Sequence, residues 1–209
     1  MSIAREGYPL ILTSGVLALL ALALGWTLIG MMLALVTLAL AGFFRDPERI
    51  IPAGENLVLA PADGKVVSIA PASEDGRFKG AATRISIFLS PLDVHINRMP
   101  VSGQIAEVTY KRGSFLAAYK AEASERNEQN ALNIINGGGH AVGVVQIAGV
   151  LARRIVCRVR QGEKLARGER FGLIMFGSRT DTYLPEGCSV EVVEGQRVKG
   201  GESILGRFL

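Results

Sequence analysis

The chain is poor in the residues that build metal centres and disulfide frameworks. Its 209 residues include two cysteines, Cys157 and Cys188, and two histidines, His95 and His140. Two distant cysteines without companion ligands read as buried thiols in a reducing compartment. Two histidines all but exclude a multi-histidine metal centre, so no metal is expected. Aromatic residues make up only 6% and do not alternate with basic ones, which argues against a stacking platform for nucleic-acid bases. The formal net charge is a modest +4. That suits a surface lying against anionic lipid better than one built to bind nucleic acid.

Charge is missing altogether from residues 8–44. A single membrane span needs about 20 apolar residues, and this block is nearly twice as long. Gly25, Trp26 and Gly30 divide it into halves at 9–24 and 28–44, each slightly short for a full crossing. We expect a helical hairpin, thin-spanning or re-entrant, with one long tilted span and the domain outside as the alternative. Arg5 precedes the block, and Arg45 and Arg49 follow it. Positive residues at both ends place the remainder of the chain on the cytoplasmic side of the cell membrane. A cleaved signal peptide is disfavoured, because the block is too long and lacks a strongly basic start.

After a charged collar at residues 45–49 come short β-branched runs at 57–60, 65–70, 83–89, 103–110, 132–136, 141–148 and 155–160, separated by glycine and proline. This rhythm predicts a mostly β domain (α+β overall) over residues 45–209, with one short helix at 119–127. Residues 162–169 echo residues 195–202, each copy reading strand, glycine turn, strand. Such pairs occur in barrel-sandwich, lipoyl-like folds, although fold alone assigns no function. No matching acidic-Lys or Met-Lys-Met turn is present, so a swinging-arm role is not expected.

The most informative residues are Phe176-Gly177-Ser178-Arg179. A Gly-Ser bond is usually only a turn, but it can also break itself. The serine hydroxyl attacks the preceding carbonyl, the amide becomes an ester, and elimination converts the serine into a pyruvoyl group. Glycine leaves the carbonyl open and tolerates the strained backbone. His95 is the plausible neutral-pH base, and Asp63, in Asp63-Gly64, could hold its tautomer. Arg179 and Asp181 flank the bond, either positioning it or pairing on an exposed strand. His140, in a glycine loop, is assigned no role.

Four segments stand in order: Phe43-Phe44-Arg45-Asp46-Pro47, Pro61-Ala62-Asp63-Gly64, residues 93–100 with Asp93-Val94-His95, and residues 176–185. Together they resemble the short form of the phosphatidylserine decarboxylase proenzyme family, from about Phe43 to the C-terminus. The resemblance implies self-cutting between Gly177 and Ser178, a β chain of residues 1–177 associated with an α chain of 178–209, and a pyruvoyl cofactor derived from Ser178. It implies a catalytic set of Ser178, His95 and Asp63. It further implies conversion of phosphatidylserine to phosphatidylethanolamine and CO2 through a Schiff base, at a phospholipid membrane and in a possible homodimer.

Two departures stand out. Arg98 occupies a place where many members have a second histidine, and Gln129 one where many have arginine. Arg45, Arg49, Arg98, Lys111 and Arg112 are candidates to meet the substrate phosphate, since guanidinium binds phosphate bidentately. Arg45, Arg98 and Arg112 stand first among them. Other readings are a membrane-tethered barrel-sandwich adaptor, a decarboxylase of another serine-headed lipid such as archaetidylserine, and one acting on a soluble amino acid.

Overall fold

The computed structural model describes residues 2–72, 78–118, 122–150, 154–175 and 177–209. It divides into two compact units, residues 1–48 and 49–209.

In the first unit, strand β1 (Ser2–Ile3) leads through a 3-10 turn into helix α1 (Tyr8–Ala23). Helix α2 (Thr27–Phe43) and strand β2 (Arg45–Asp46) follow. Pro9 lies in the first turn of α1, where its missing N–H costs nothing. Gly25 turns the chain with φ +80°, a left-handed conformation open to glycine. The uncharged block is therefore two helices, and their bounds fall within a residue of the two expected halves. Gly30 lets them approach, since a Cβ there would lie 2.5 Å from the Leu22 side chain. The Ser14 and Thr37 hydroxyls meet at 3.0 Å between the helices. Antiparallel pairing of β1 with β2 brings the two ends of the hairpin together.

The second unit is mostly β. In chain order its elements are β3 (Leu57–Leu59), β4 (Gly64–Pro71), β5 (Ala81–Leu89), β6 (Ile96–Arg98), β7 (Gly103–Lys111), α3 (Ala123–Arg126), β8 (Gln129–Asn136) and β9 (Ala141–Ile147). Then come β10 (Ile155–Cys157), β11 (Lys164–Leu165), β12 (Arg170–Ile174), β13 (Ser178–Pro185), β14 (Cys188–Val190), β15 (Arg197–Val198) and β16 (Ile204–Phe208). Eight strands form one antiparallel sheet in the order β11-β7-β8-β9-β13-β5-β4-β15. Two three-stranded sheets, β10-β12-β6 and β14-β16-β3, complete the unit. Among the described residues the large sheet ends at β11 and β15, and no closed barrel forms. Its main core contains Val66, Ile85, Ile87, Ile105, Leu132 and Val144, all fully buried.

The tail repeat is structural. β11 and β15 occupy opposite edges of the large sheet. Gly162 and Gly195 have φ of 91° and 88°, and Gly168 and Gly201 both have 79°. Gly162 donates to the Ile105 carbonyl and Gly195 to the Val66 carbonyl, each at 2.8 Å. The two copies thus cap equivalent strands, β7 and β4, and blunt both edges with two-residue strands.

Two expectations need correction. The helix expected at 119–127 is one turn, Ala123–Arg126, and residues 119–121 lie outside the described residues. Strand β13 was not among the expected strands, yet it lies between β9 and β5 inside the large sheet.

Both cysteines are free thiols and half-buried. Burial, and then the charge of Glu191, pushes the Cys188 thiol up to about 11. It is therefore protonated near neutrality. At pH 8, iodoacetamide should label it ~100-fold more slowly than an ordinary thiol. Peptide mapping after timed alkylation measures this, and labelling as fast as a free thiol would contradict it.

Candidate active site

Strand β13 is polar yet central. Ser178, Arg179, Thr180, Asp181 and Thr182 are all at most 3% exposed. Side chains alternate along a strand. Leu184 belongs to the main core and Tyr183 to a smaller cluster with Val145 and Ile147 on the opposite face. Ser178, Thr180 and Thr182 accordingly share the main-core face, while Arg179 and Asp181 face the other way.

The second face is satisfied. The Arg179 Nη2 donates to Asp181 Oδ2 at 3.0 Å and its Nη1 to the Ala118 carbonyl at 3.2 Å. Ser124 donates to Asp181 at 3.1 Å. Of the two readings of this pair, the exposed strand does not hold, because segments 118 and 124 arrive from elsewhere in the chain to cover and bond it. A fully buried ion pair survives only with such extra partners.

The first face is not satisfied. The hydroxyls of Ser178, Thr180 and Thr182 are buried without a hydrogen-bond partner. An orphaned buried hydroxyl costs about 1–3 kcal/mol, and such groups call for an explanation. Around Ser178 the explanation is chemical. Gly177 precedes it with φ +66°, in the left-handed region where an L side chain is strained. Nothing lies within 4 Å of where its Cβ would be, so backbone conformation rather than crowding demands glycine. Phe176, the residue before, lies outside the described residues.

His95 is brought to this bond. Its Nε2 lies 3.5 Å from the Gly177 nitrogen, which donates to it. Its Nδ1 lies 2.9 Å from the Asp93 carbonyl. A carbonyl can only accept, so this contact places the proton on Nδ1 and leaves the Nε2 lone pair facing the Gly177–Ser178 segment. The loop that carries His95 is pinned by the Asp93 carboxylate, which accepts from the Ser90 N–H at 2.8 Å and pairs with Arg197. On the other side, the backbone of Gly149 comes close to the Gly177 carbonyl. A Cβ at Gly149 would lie 2.2 Å from the Gly177 oxygen. Asn127, fully buried, fixes that wall by donating to the Ala148 carbonyl at 2.7 Å and the Leu116 carbonyl at 2.8 Å. Neither Gly149 nor Asn127 was singled out from sequence; Asn127 stands two residues before Gln129, which was noted only as a departure, and Gly149 carried no local signal.

The other expected site residues are placed differently. The Asp63 carboxylate is held by Arg49 Nη2, at 2.8 and 2.9 Å to its two oxygens, and by the Gly200 N–H at 2.8 Å. The uncut chain does not join it to His95, where the Asp93 carbonyl orients the ring instead. The expected Arg49–phosphate contact is likewise replaced by this ion pair, since both side chains are largely buried. Arg98 is 4% exposed and donates to the Gly168 carbonyl at 3.0 Å, so its guanidinium ties β6 to an edge turn. Arg45 donates to the Gly42 carbonyl at the end of α2. Lys111 donates to the Glu125 carbonyl. Arg112 is exposed beyond the end of β7. Gln129 is buried and donates to the Ser124 carbonyl; it helps to hold the segment that covers Asp181. His140 stacks on Phe208 at 4.8 Å.

Residues 36–206 match the family model described as phosphatidylserine decarboxylase. Three curated relatives are each named phosphatidylserine decarboxylase proenzyme. The one from Azorhizobium caulinodans is 49% identical, covering 99% of this chain and 89% of its own. That from Geobacter sulfurreducens is 47% identical over 98% and 95%, and that from Symbiobacterium thermophilum 47% over 99% and 95%. With a match spanning most of the chain and a glycine–serine bond set against a histidine, this chain belongs to the phosphatidylserine decarboxylase family.

Proposed function

We propose that this chain is a self-processing decarboxylase that converts phosphatidylserine to phosphatidylethanolamine and CO2. The observation that carries the reading is the Gly177–Ser178 linkage itself. An orphaned buried hydroxyl follows a left-handed glycine whose amide meets His95. The curated relatives carry the same activity in their names.

Cutting uses only this chain's groups. His95 Nε2 accepts the Ser178 hydroxyl proton as Oγ attacks the Gly177 carbonyl carbon. The carbon–nitrogen bond breaks, the nitrogen takes a proton, and an ester joins Gly177 to Ser178 Oγ. Loss of the Ser178 α-proton then expels the Gly177 carboxylate. Water releases ammonia from the remaining residue and leaves the pyruvoyl group at the start of residues 178–209. The tight approach of Gly149 and the fixed wall from Asn127 hold the carbonyl in place while this happens.

The surroundings of Ser178 fit that group. It would stand on β13, held by the ladders to β5 and β9. There it supplies a carbonyl for the substrate amine and a sink for the electron pair released with CO2. His95, already beside the bond, can hold and return a proton. Asp63 supports the site at one remove, by joining Arg49 to the Gly200 turn.

The domain arrangement is an anchor at residues 1–44 and a catalytic domain at 45–209, cut into 1–177 and 178–209 that remain associated through the sheet. The matching edge turns support a lipoyl-like sandwich kinship by fold. Leu12, Leu19, Leu28, Leu35 and Leu38 are exposed on the hairpin, and residues 5–23 are long and apolar enough to cross a membrane. Burying such a surface in lipid is favourable by about 25 cal/mol per Å². With Arg5 and Arg45 at the two ends, the hairpin would hold the catalytic domain at the cytoplasmic face of the cell membrane.

The test is an intact mass of the purified protein. Two fragments, the smaller beginning with a pyruvoyl mass at residue 178, support the reading, and one uncut active chain ends it. Removing residues 1–42 should spare cutting but lower turnover on phosphatidylserine vesicles about tenfold or more, by loss of interfacial concentration. Equal turnover on vesicles would show that the hairpin is not the anchor.

A further inference from the structure

A second tier of polar side chains lies one step beyond the scissile bond and is used by none of the chemistry above. Asn97 stands two residues beyond His95, and Thr180 two residues beyond Ser178. Gln146 links them. It is the cross-strand partner of Thr180 in the β9–β13 ladder, which sets their side chains next to each other on one face. Gln146 Nε2 donates to Asn97 Oδ1 at 2.8 Å, and Gln146 Oε1 accepts from Asn130 at 3.0 Å. All four residues are at most 3% exposed.

The amide orientations are determined by the network. Gln146 Nε2 also faces the Val156 carbonyl at 3.4 Å, which only a donor can do, so the oxygen of Asn97 must face Gln146. Asn97 Nδ2 is then left as a spare donor. It has no partner, and neither has the Thr180 hydroxyl. Two buried donors without a partner, beside a satisfied amide chain, call for an explanation beyond packing.

Charge decides what the site suits. The neighbouring cations are turned away: Arg98 is bonded to the Gly168 carbonyl, and Arg179 to Ala118 and Asp181. The tier therefore offers neutral N–H and O–H donors. A group that must lose its charge as it leaves is poorly served by a cation, which would stabilise the charged ground state. Neutral donors among residues fully buried from water orient a carboxylate and favour its departure as uncharged CO2.

We propose that Asn97 Nδ2 and the Thr180 hydroxyl form the seat for the carboxylate of the substrate's serine head group. The site distinguishes serine-headed from ethanolamine-headed lipid by filling these two donors. Ser178 is fully buried in the uncut chain, so the seat is reached only after the Gly177–Ser178 bond opens. The inference rests on the decarboxylase reading and adds to it the residues that recognise the leaving group.

The test uses full-length cut protein in detergent and two soluble probes that lack the amine, so neither can react. One is glycerophospho-3-hydroxypropionate, which keeps the carboxylate; the other is glycerophosphopropanol, which lacks it. Calorimetry of the unaltered protein should show a preference for the carboxylate probe of about tenfold or more, the worth of a hydrogen bond to a charged group. Thr180→Val removes only the hydroxyl, and Asn97→Asp replaces the spare donor while keeping the acceptor for Gln146. Each should lower the preference about tenfold with propanol-probe affinity unchanged, while Thr180→Ser should retain it. Intact mass checks that each variant is still cut.

An unchanged preference in both variants overturns the proposal. So does failure of folded variants to cut, which would move Asn97 and Thr180 into the cutting step. The unaltered protein bears the test by itself if the variants do not fold, since cut protein without any carboxylate preference has no such seat. Unaltered protein that is not cut at all would instead sink the decarboxylase reading.

Discussion

Ser178→Ala should remain a single chain and show no decarboxylation at all. The hydroxyl is the only group lost. Ser178 opens strand β13, paired to Leu89 of β5, and alanine keeps those backbone bonds. The lost oxygen has no hydrogen-bond partner, so no partner is orphaned by its removal. Large destabilisation requires a cavity, a stranded polar group or backbone strain, and this change introduces little of any. The variant should therefore fold and unfold cooperatively while its intact mass corresponds to residues 1–209. Without a nucleophile the effect on cutting is total rather than graded, and every turnover that depends on the pyruvoyl group is lost with it. Measurable turnover of phosphatidylserine by the uncut variant would end the mechanism.

His95→Ala should slow cutting by about 10²–10⁴-fold, the usual worth of a positioned general base. His95 is 2% exposed and its Nε2 accepts from the Gly177 N–H, so alanine would also leave a cavity and an unpaired donor. His95→Gln separates the two effects. The glutamine amide oxygen can accept that N–H but cannot take up a proton at neutral pH. It should fold with a melting temperature near that of the uncut Ser178→Ala chain, yet cut as slowly as His95→Ala. The measurement is the fraction cut against time after synthesis, read by mass. Cutting of His95→Gln at the unaltered rate would remove histidine from the base role and confine the 3.5 Å contact to positioning.

Much of the architecture was legible locally. The uncharged block from Tyr8 to Phe44, with Gly25 and Gly30 near its centre, is read as two apolar helices because each half lacks any charge that water must solvate. The short β-branched runs specified strands, and the spacing of Gly162, Gly168, Gly195 and Gly201 marked turns that require positive φ. The site was legible only in part. The structure sets His95 against the Gly177 amide that precedes Ser178, whereas the Asp63 carboxylate lies on Arg49. Sequence distance carries no information on which cation an aspartate meets. Arg49 and Asp63 stand 14 positions apart with a strand between them, and only packing brings their side chains together.

Strand β13 marks the limit most clearly. Ser-Arg-Thr-Asp-Thr has the composition of an exposed edge, and no local rule would bury it. It is buried because Ala118, Ser124 and the Arg179–Asp181 pair satisfy one another on one face. The other face is left unsatisfied, next to Gly177. The sequence alone determined the Gly177–Ser178 pair, the apolar hairpin and the β-rich character, since each depends on the conformational range or polarity of adjacent residues. The tertiary structure decided which side chains attend that bond. Hydrogen bonds and burial between segments distant in the chain exist only once the sheet has assembled, and they place His95 on its amide, Gly149 on its carbonyl and two vacant donors beyond it.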